Sequence, residues 1–190
     1  MAIKRLFIAL DLPIEVQQHF YEVCTCFEEK KLFQGRCIAP QQIHLTLLFL
    51  GDVAEENIPT IQQSLAAIKV FSFAVKTSNL GVFYTGNKIK ILHVEVYSPE
   101  LSELVEKIHQ LLMPYKPQKI NNKPFVGHIT LARIKNVLNE DLFLQEIAAY
   151  PLESMTFKAN SFSLMESILS YEGASYKFIT TYDLVKSIEH

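Results

Sequence analysis

Hydrophobic positions recur along the chain with two different periods, and the places where the period changes predict the elements. Residues 5–10 (Arg-Leu-Phe-Ile-Ala-Leu) form a short apolar run that predicts a buried strand. Asp11-Leu12-Pro13 closes it, with Asp11 placed to cap a following helix and Pro13 suited to that helix's first turn. Val16, Phe20, Val23 and Phe27 then recur at intervals of four, three and four, the stripe of an amphipathic helix. Ile58, Ile61, Leu65 and Ile68 form a second stripe. Leu101, Leu104, Val105, Ile108 and Leu112 form a third, opened by Ser98-Pro99. A shorter fourth helix is predicted near 139–149. Strand-like runs fall at about 43–50, 71–77, 89–97, 126–133, 156–166 and 175–184, several of them β-branched or aromatic and bounded by Gly, Asn or Pro.

The order of these elements writes nearly the same unit twice. The successive runs 71–77 and 89–97, and again 156–166 and 175–184, predict antiparallel hairpins, whereas a doubly wound parallel sheet would separate its strands by helices. The expected fold class is therefore α+β: two similar lobes of antiparallel sheet plus helices, related by a pseudo-two-fold, with a cleft between them for a site. No Gly/Ser linker or low-complexity tract interrupts the chain, so residues 1–190 are expected to form a single bilobal domain.

Composition narrows the classes of function. Hydrophobic residues make up 49% and charged residues 20% of the 190, which excludes disorder as the dominant state. The formal net charge of −2 and pI near 6.3 lack the basic excess needed to coat a duplex. A small or terminal nucleic-acid substrate needs only local contacts and stays compatible. Cys24, Cys26 and Cys37 make a poor disulfide framework and lack the further ligands of a zinc site. No run approaches the ~18 apolar residues of a membrane span, so a reducing cytoplasm is the expected location.

The chemical signal is an internal repeat. Pro40-Gln-Gln-Ile-His44-Leu-Thr46-Leu47 matches Pro124-Phe-Val-Gly-His128-Ile-Thr130-Leu131, and the two histidines stand 84 residues apart. A His-x-Thr arises by chance roughly 0.3 times in such a chain, and two copies with apolar flanks a few times in a thousand, on the order expected of short motifs. In a strand, side chains at i and i+2 share a face, so each motif offers an imidazole and a hydroxyl to the cleft. Leu45, Leu47, Ile129 and Leu131 then turn into the core. Two imidazoles across a small substrate suit acid–base displacement, one neutral and one protonated near pH 7. The hydroxyls of Thr46 and Thr130 donate where negative charge grows, which suits phosphorus better than a carbonyl. Arg133, ending the second strand, offers a permanent cation.

The paired His-x-Thr-x motifs resemble those of the two-histidine phosphoesterase superfamily. Within it the chain is similar to the RNA 2′,3′-cyclic phosphodiesterases, also called 2′-5′ RNA ligases. The resemblance spans Arg5–Pro13, His44–Gly51, Pro124–Arg133 and Glu166–Tyr176. It implies His44 as proton donor and His128 as proton acceptor, with Thr46, Thr130 and Arg133 on the phosphate. It implies hydrolysis of a terminal 2′,3′-cyclic phosphate to a 2′-phosphomonoester, with no cofactor and no metal. RNA ends or 2′,3′-cyclic nucleotides, tRNA fragments among them, are the implied partners of a monomer with no membrane attachment. Leu48 stands where relatives often carry a basic residue, Gly127 where Pro is common, and His93 where a Trp is usual.

Plainer readings stand beside these. Arg133 is equally placed to be a surface ion-pair partner, and His93 a satisfied core residue. His19 and His109 read as solvated helix positions, His190 as a terminus, and Cys24 and Cys26 as helix packing. Phe125 and Tyr176 are candidates for stacking on a base, although aromatics more often pack a core. Two other functions compete: ligation in the same cleft, which microscopic reversibility allows, and a non-catalytic module that binds nucleotides or RNA ends.

Overall fold

The computed structural model describes residues 2–115, 125–170 and 173–186. Along them run β1 (Ile3–Leu10), α1 (Ile14–Glu29), β2 (Phe33–Cys37), β3 (Leu45–Ala54), α2 (Ile58–Ala66), β4 (Phe73–Thr85) and β5 (Lys88–Tyr97). They are followed by α3 (Pro99–Leu112), β6 (His128–Val137), α4 (Glu140–Ala149), β7 (Thr156–Ala159), β8 (Ser161–Ser170) and β9 (Gly173–Asp183). Pro124, Tyr171, Glu172 and His190 lie outside the described residues. The strands join in one sheet of order β7-β4-β5-β6-β3-β1-β8-β9, with β2 also paired to β6, and these pairings are antiparallel. Only Asn160 separates β7 from β8, yet β7 stands at one end of the strand order and β8 next to the other end. The sheet must therefore curl to bring them together. The class is α+β, and both expected hairpins are present as β4–β5 and β8–β9.

The four apolar helix stripes cover one face of this sheet. Phe20 and Phe27 of α1, Ile61 and Leu65 of α2, Leu104 and Ile108 of α3, and Phe143 of α4 share one core with Leu6, Ile8, Leu45, Val94 and Ile129 of the strands. The opposite face carries a small separate cluster, Phe7, Ala9 and Met165, with Tyr176 packed against it. The two motif strands meet at the centre of the sheet through one residue pair, Leu45 opposite Ile129. These are the residues immediately after His44 and His128.

Several expectations need correction. The run 156–166 is two strands, because Asn160 is the point where the chain leaves one end of the sheet for the other. β2 carries two polar residues and a glycine in five positions, so its pattern held no strand signal. Asp11 does not cap α1, whose N-cap is Pro13; the amides of Val16 and Gln17 donate to the Pro13 carbonyl. Its carboxylate instead accepts from the hydroxyls of Ser161 and Ser163, tying the end of β1 to β8. His19 is not fully solvated, since its Nε2 is buried without a hydrogen-bond partner.

The cysteine reading also changes. Cys24 of α1 and Cys37 of β2 form a disulfide across a Cα–Cα distance of 6.0 Å, and Cys26 is free. Spacing alone could not show this, because the pairing depends on α1 lying against β2. Among the described residues no helix is long and apolar enough to cross a membrane.

Closing a loop between residues 13 apart restricts the unfolded chain. Reduction should lower the unfolding free energy by about 3 kcal/mol. Urea titrations with and without a dithiol reductant check this; coincident curves would contradict it.

Candidate active site

Both motif histidines are held by the same local device. The Nδ1–H of His44 donates to the Gln42 carbonyl at 2.7 Å, and that of His128 to the Val126 carbonyl at 2.8 Å. A carbonyl can only accept, so each neutral ring carries its proton on Nδ1 and leaves a lone pair on Nε2. At His44 that lone pair accepts from the hydroxyl of Thr46, at 3.1 Å. The residue before each histidine is anchored as well. Gln17 Nε2 of α1 donates to the Ile43 carbonyl at 2.9 Å, and the Val96 amide of β5 donates to the Gly127 carbonyl at 3.0 Å. A Cβ at residue 127 would lie 2.9 Å from the Val96 carbonyl oxygen, so a glycine allows this approach.

A β-bulge in each motif strand decides which later side chains join them. Against β1, Thr46 pairs with Ala9 and Leu48 with Ile8, so Leu47 is an extra residue. Against β5, Thr130 pairs with His93 and Ala132 with Leu92, so Leu131 is extra. An inserted residue reverses the alternation beyond it. Phe49 therefore shares the face of Thr46, and Arg133 the face of His128 and Thr130. Burial follows suit: Leu45, Leu47, Leu48 and Leu50 enter the core, as do Ile129, Leu131, Ala132 and Ile134. Arg133 is not the end of its strand, which runs on to Val137.

These side chains line one cavity of about 200 Å³. His44, Thr46, His128, Thr130, Arg133 and Tyr176 all face it, joined by Phe49 and by Ile38, Gln42 and Ile91. Among the described residues Arg133 makes no ion pair, which favours the ligand role over the surface one. Tyr176 stands edge-on to His44, ring centres 4.9 Å apart. Phe125 is elsewhere: it packs against the main core and does not line the cavity. Phe49, 59% exposed at the cavity, is a site residue that the sequence reading misses. The offset of Arg133 from His128, applied to His44, points to it. Leu48 is buried in the core. His93 is buried, but its Nδ1 has no partner, so it is not a satisfied core residue.

Burial dominates the electrostatics of the site. Desolvation lowers His44 to about 4, helped by the nearby charges of Arg133 and His128 and opposed by its bond to Gln42. His128 is also lowered, mainly by desolvation, with the Val126 carbonyl acting against the shift. His93 falls to about 4 through desolvation and the proximity of His128. The cavity thus holds neutral imidazoles and one guanidinium, an arrangement that favours an entering anion. Among the described residues no group of three His, Cys, Asp or Glu side chains is placed to hold a metal ion.

Comparison with known proteins finds relatives of this chain. A family model described as LigT-like phosphoesterase matches residues 10–93, which contain the His44 motif. An RNA 2′,3′-cyclic phosphodiesterase of Methanocaldococcus jannaschii is 26% identical, over 92% of this chain and 98% of its own. One from Thermus thermophilus is 31% identical over 69% of each chain. The crystal structure of TT0787, also from Thermus thermophilus, superposes with a TM-score of 0.77 at 25% identity, over 97% of this chain and all of that one.

The lowered histidines have a consequence for stability. Each binds its proton more weakly folded than unfolded, where the ordinary value is near 6.5. Their contribution is fully present above that value and is lost as the pH falls toward 4. The melting temperature should fall between pH 7 and pH 5, and less steeply in His44→Gln. Thermal denaturation at the two pH values checks this; a wild-type protein equally stable at both would contradict it.

Proposed function

Because this chain belongs to the LigT-like phosphoesterase family, we propose that it is an enzyme that opens RNA-terminal 2′,3′-cyclic phosphates, leaving a 2′-phosphomonoester. The observation that carries the reading is the pair of matched motifs: two imidazoles whose Nε2 atoms are free of the backbone, beside two hydroxyls and a guanidinium. The names of the relatives support the same substrate class. A cavity of about 200 Å³ suits a terminal phosphate with its ribose.

In this mechanism Arg133 and the hydroxyl of Thr130 hold the non-bridging oxygens. His128 Nε2 takes a proton from a water as that water's oxygen bonds to phosphorus. On the opposite side the P–O3′ bond breaks, and His44 Nε2 delivers its proton to the departing 3′-oxygen. Protonated His44 has no lone pair at Nε2, so Thr46 is released from donating to it. Its hydroxyl then turns to the phosphate, where negative charge is growing. The side chains present supply every proton transfer, so no metal is required by the scheme. Phe49 and Tyr176 flank the cavity as surfaces on which the terminal base stacks without strong preference among bases.

The acid presents an electrostatic problem, since His44 is the more strongly lowered of the pair. The substrate's phosphate charge counters the effect of Arg133 and restores the proton on binding. In the free enzyme the active form, with His44 charged and His128 neutral, is a minor species.

Measurements with 2′,3′-cyclic nucleotides test this reading. His44→Ala and His128→Ala should each lose ~10²–10⁴-fold in turnover while staying folded. Near wild-type turnover by either would contradict the assignment, as would a product that is chiefly the 3′-phosphate. The pH profile of kcat/KM should be bell-shaped with its maximum on the acid side, between the lowered value of about 4 for His44 and the ordinary 6.5. Arg133→Ala should raise KM and move that maximum upward, because it removes a positive charge that opposes protonation of His44. Phe49→Ala should raise KM with little change in kcat; an unchanged KM would remove Phe49 from the substrate surface.

A further inference from the structure

We propose that His93 is a positioning residue for His128, a flat ring that, together with Phe83, forms the wall fixing the orientation of the proton acceptor. His93 lies on β5 directly opposite Thr130 of the second motif, on the face that carries His128. Its ring stacks on Phe83 at 4.0 Å and 19° and meets His128 nearly edge-on, with ring centres 5.6 Å apart. Phe83 also meets His128 edge-on, at 4.8 Å. His128 is therefore held at Nδ1 by Val126 and against its ring by two others, leaving Nε2 as its free end.

The other motif has the same construction. His44 is backed by Phe7, at 5.1 Å, and by Tyr176, at 4.9 Å. Two rings behind each catalytic imidazole is more than filling requires, since a Leu or Val would seal either site from the core. Rings restrict a neighbouring ring to few orientations, and proton transfer is sensitive to misplacement.

His93 itself is clamped from its other side. Gly81 of β4 lies opposite it across the sheet. A Cβ on Gly81 would fall 2.8 Å from His93 Nε2 and 3.0 Å from its Cε1. The ring thus fills the space between the Gly81 backbone and the second motif. Its Nδ1 is buried without a partner, which costs stability because the atom has given up water for nothing in return. A five-membered ring of this size is retained at that cost, and its contacts are rings instead of hydrogen bonds.

The inference rests on the acceptor role given to His128, but its test has one arm that does not. In the wild type, ¹⁵N shifts of the His128 ring should report one tautomer, protonated at Nδ1. His93→Ala should mix the tautomers and lower kcat on the order of tenfold or more, with KM nearly unchanged. Added imidazole, which matches the vacated space, should restore both the kcat and the single tautomer in His93→Ala and have no effect on the wild type. Gly81→Ala, which presses on the ring from behind, should lower kcat with KM unchanged, and it decides the matter if His93→Ala does not fold. A single tautomer together with wild-type kcat in either variant would overturn the proposal. A tautomer change in a protein whose wild type does not cleave cyclic phosphates would instead uphold the wall and remove the proposed reaction.

Discussion

The site depends on one extra residue in each of two strands. Leu47 and Leu131 occupy positions without a counterpart on the neighbouring strand, and each reverses the alternation of side chains beyond it. Without the insertion in β6, Arg133 would enter the core behind the sheet, where a guanidinium has no compensating partner. With it, imidazole, hydroxyl and guanidinium share one face of the strand. The same insertion in β3 brings Phe49 to the face of Thr46. The two bulged strands touch through Leu45 and Ile129, so both sets of side chains converge on one cavity.

Convergence carries an electrostatic cost. Desolvation holds both motif histidines neutral, and Arg133 opposes a positive charge on His44. The molecule tolerates this because neutral imidazoles satisfy one nitrogen on a backbone carbonyl and need no counter-ion. The side chains of the site by themselves are accordingly unfavourable for the protonation state the proposed reaction needs. In the proposed reaction an anionic substrate reverses that preference, so that binding and protonation of His44 are coupled. The core behind the sheet makes such a site possible: it joins all four helices and gives the strands little freedom to move apart.

Support for the two histidines is local in one direction and long-range in the other. The bonds to Gln42 and Val126 come from residues two positions earlier in the chain. The rings that back them come from β1 and β9 on one side and from β4 and β5 on the other. Tyr176 belongs to both the backing and the cavity wall. Phe125 follows the opposite course: it is close to His128 in sequence but is drawn to the core.

The residues of the paired motifs and most of the frame are legible in the order of residues alone. The repeated His-x-Thr motifs identify His44, Thr46, His128 and Thr130, because period-two alternation is a local property of a strand. Four helices and seven strand runs are legible for the same reason, since burial of one face is written in spacing. The bulges at Leu47 and Leu131 are not, because an apolar pair inside an apolar run does not show which residue lacks a counterpart on the next strand. Packing decides what depends on the neighbour: the common face of Arg133 and Phe49, the wall built from His93 and Phe83, and the bond between Cys24 and Cys37. It also decides that β2, apolar only at its two ends, is a strand at all, since its partner β6 supplies the hydrogen bonds. Such features follow from which segments lie side by side, and spacing along one chain records faces without recording what they meet.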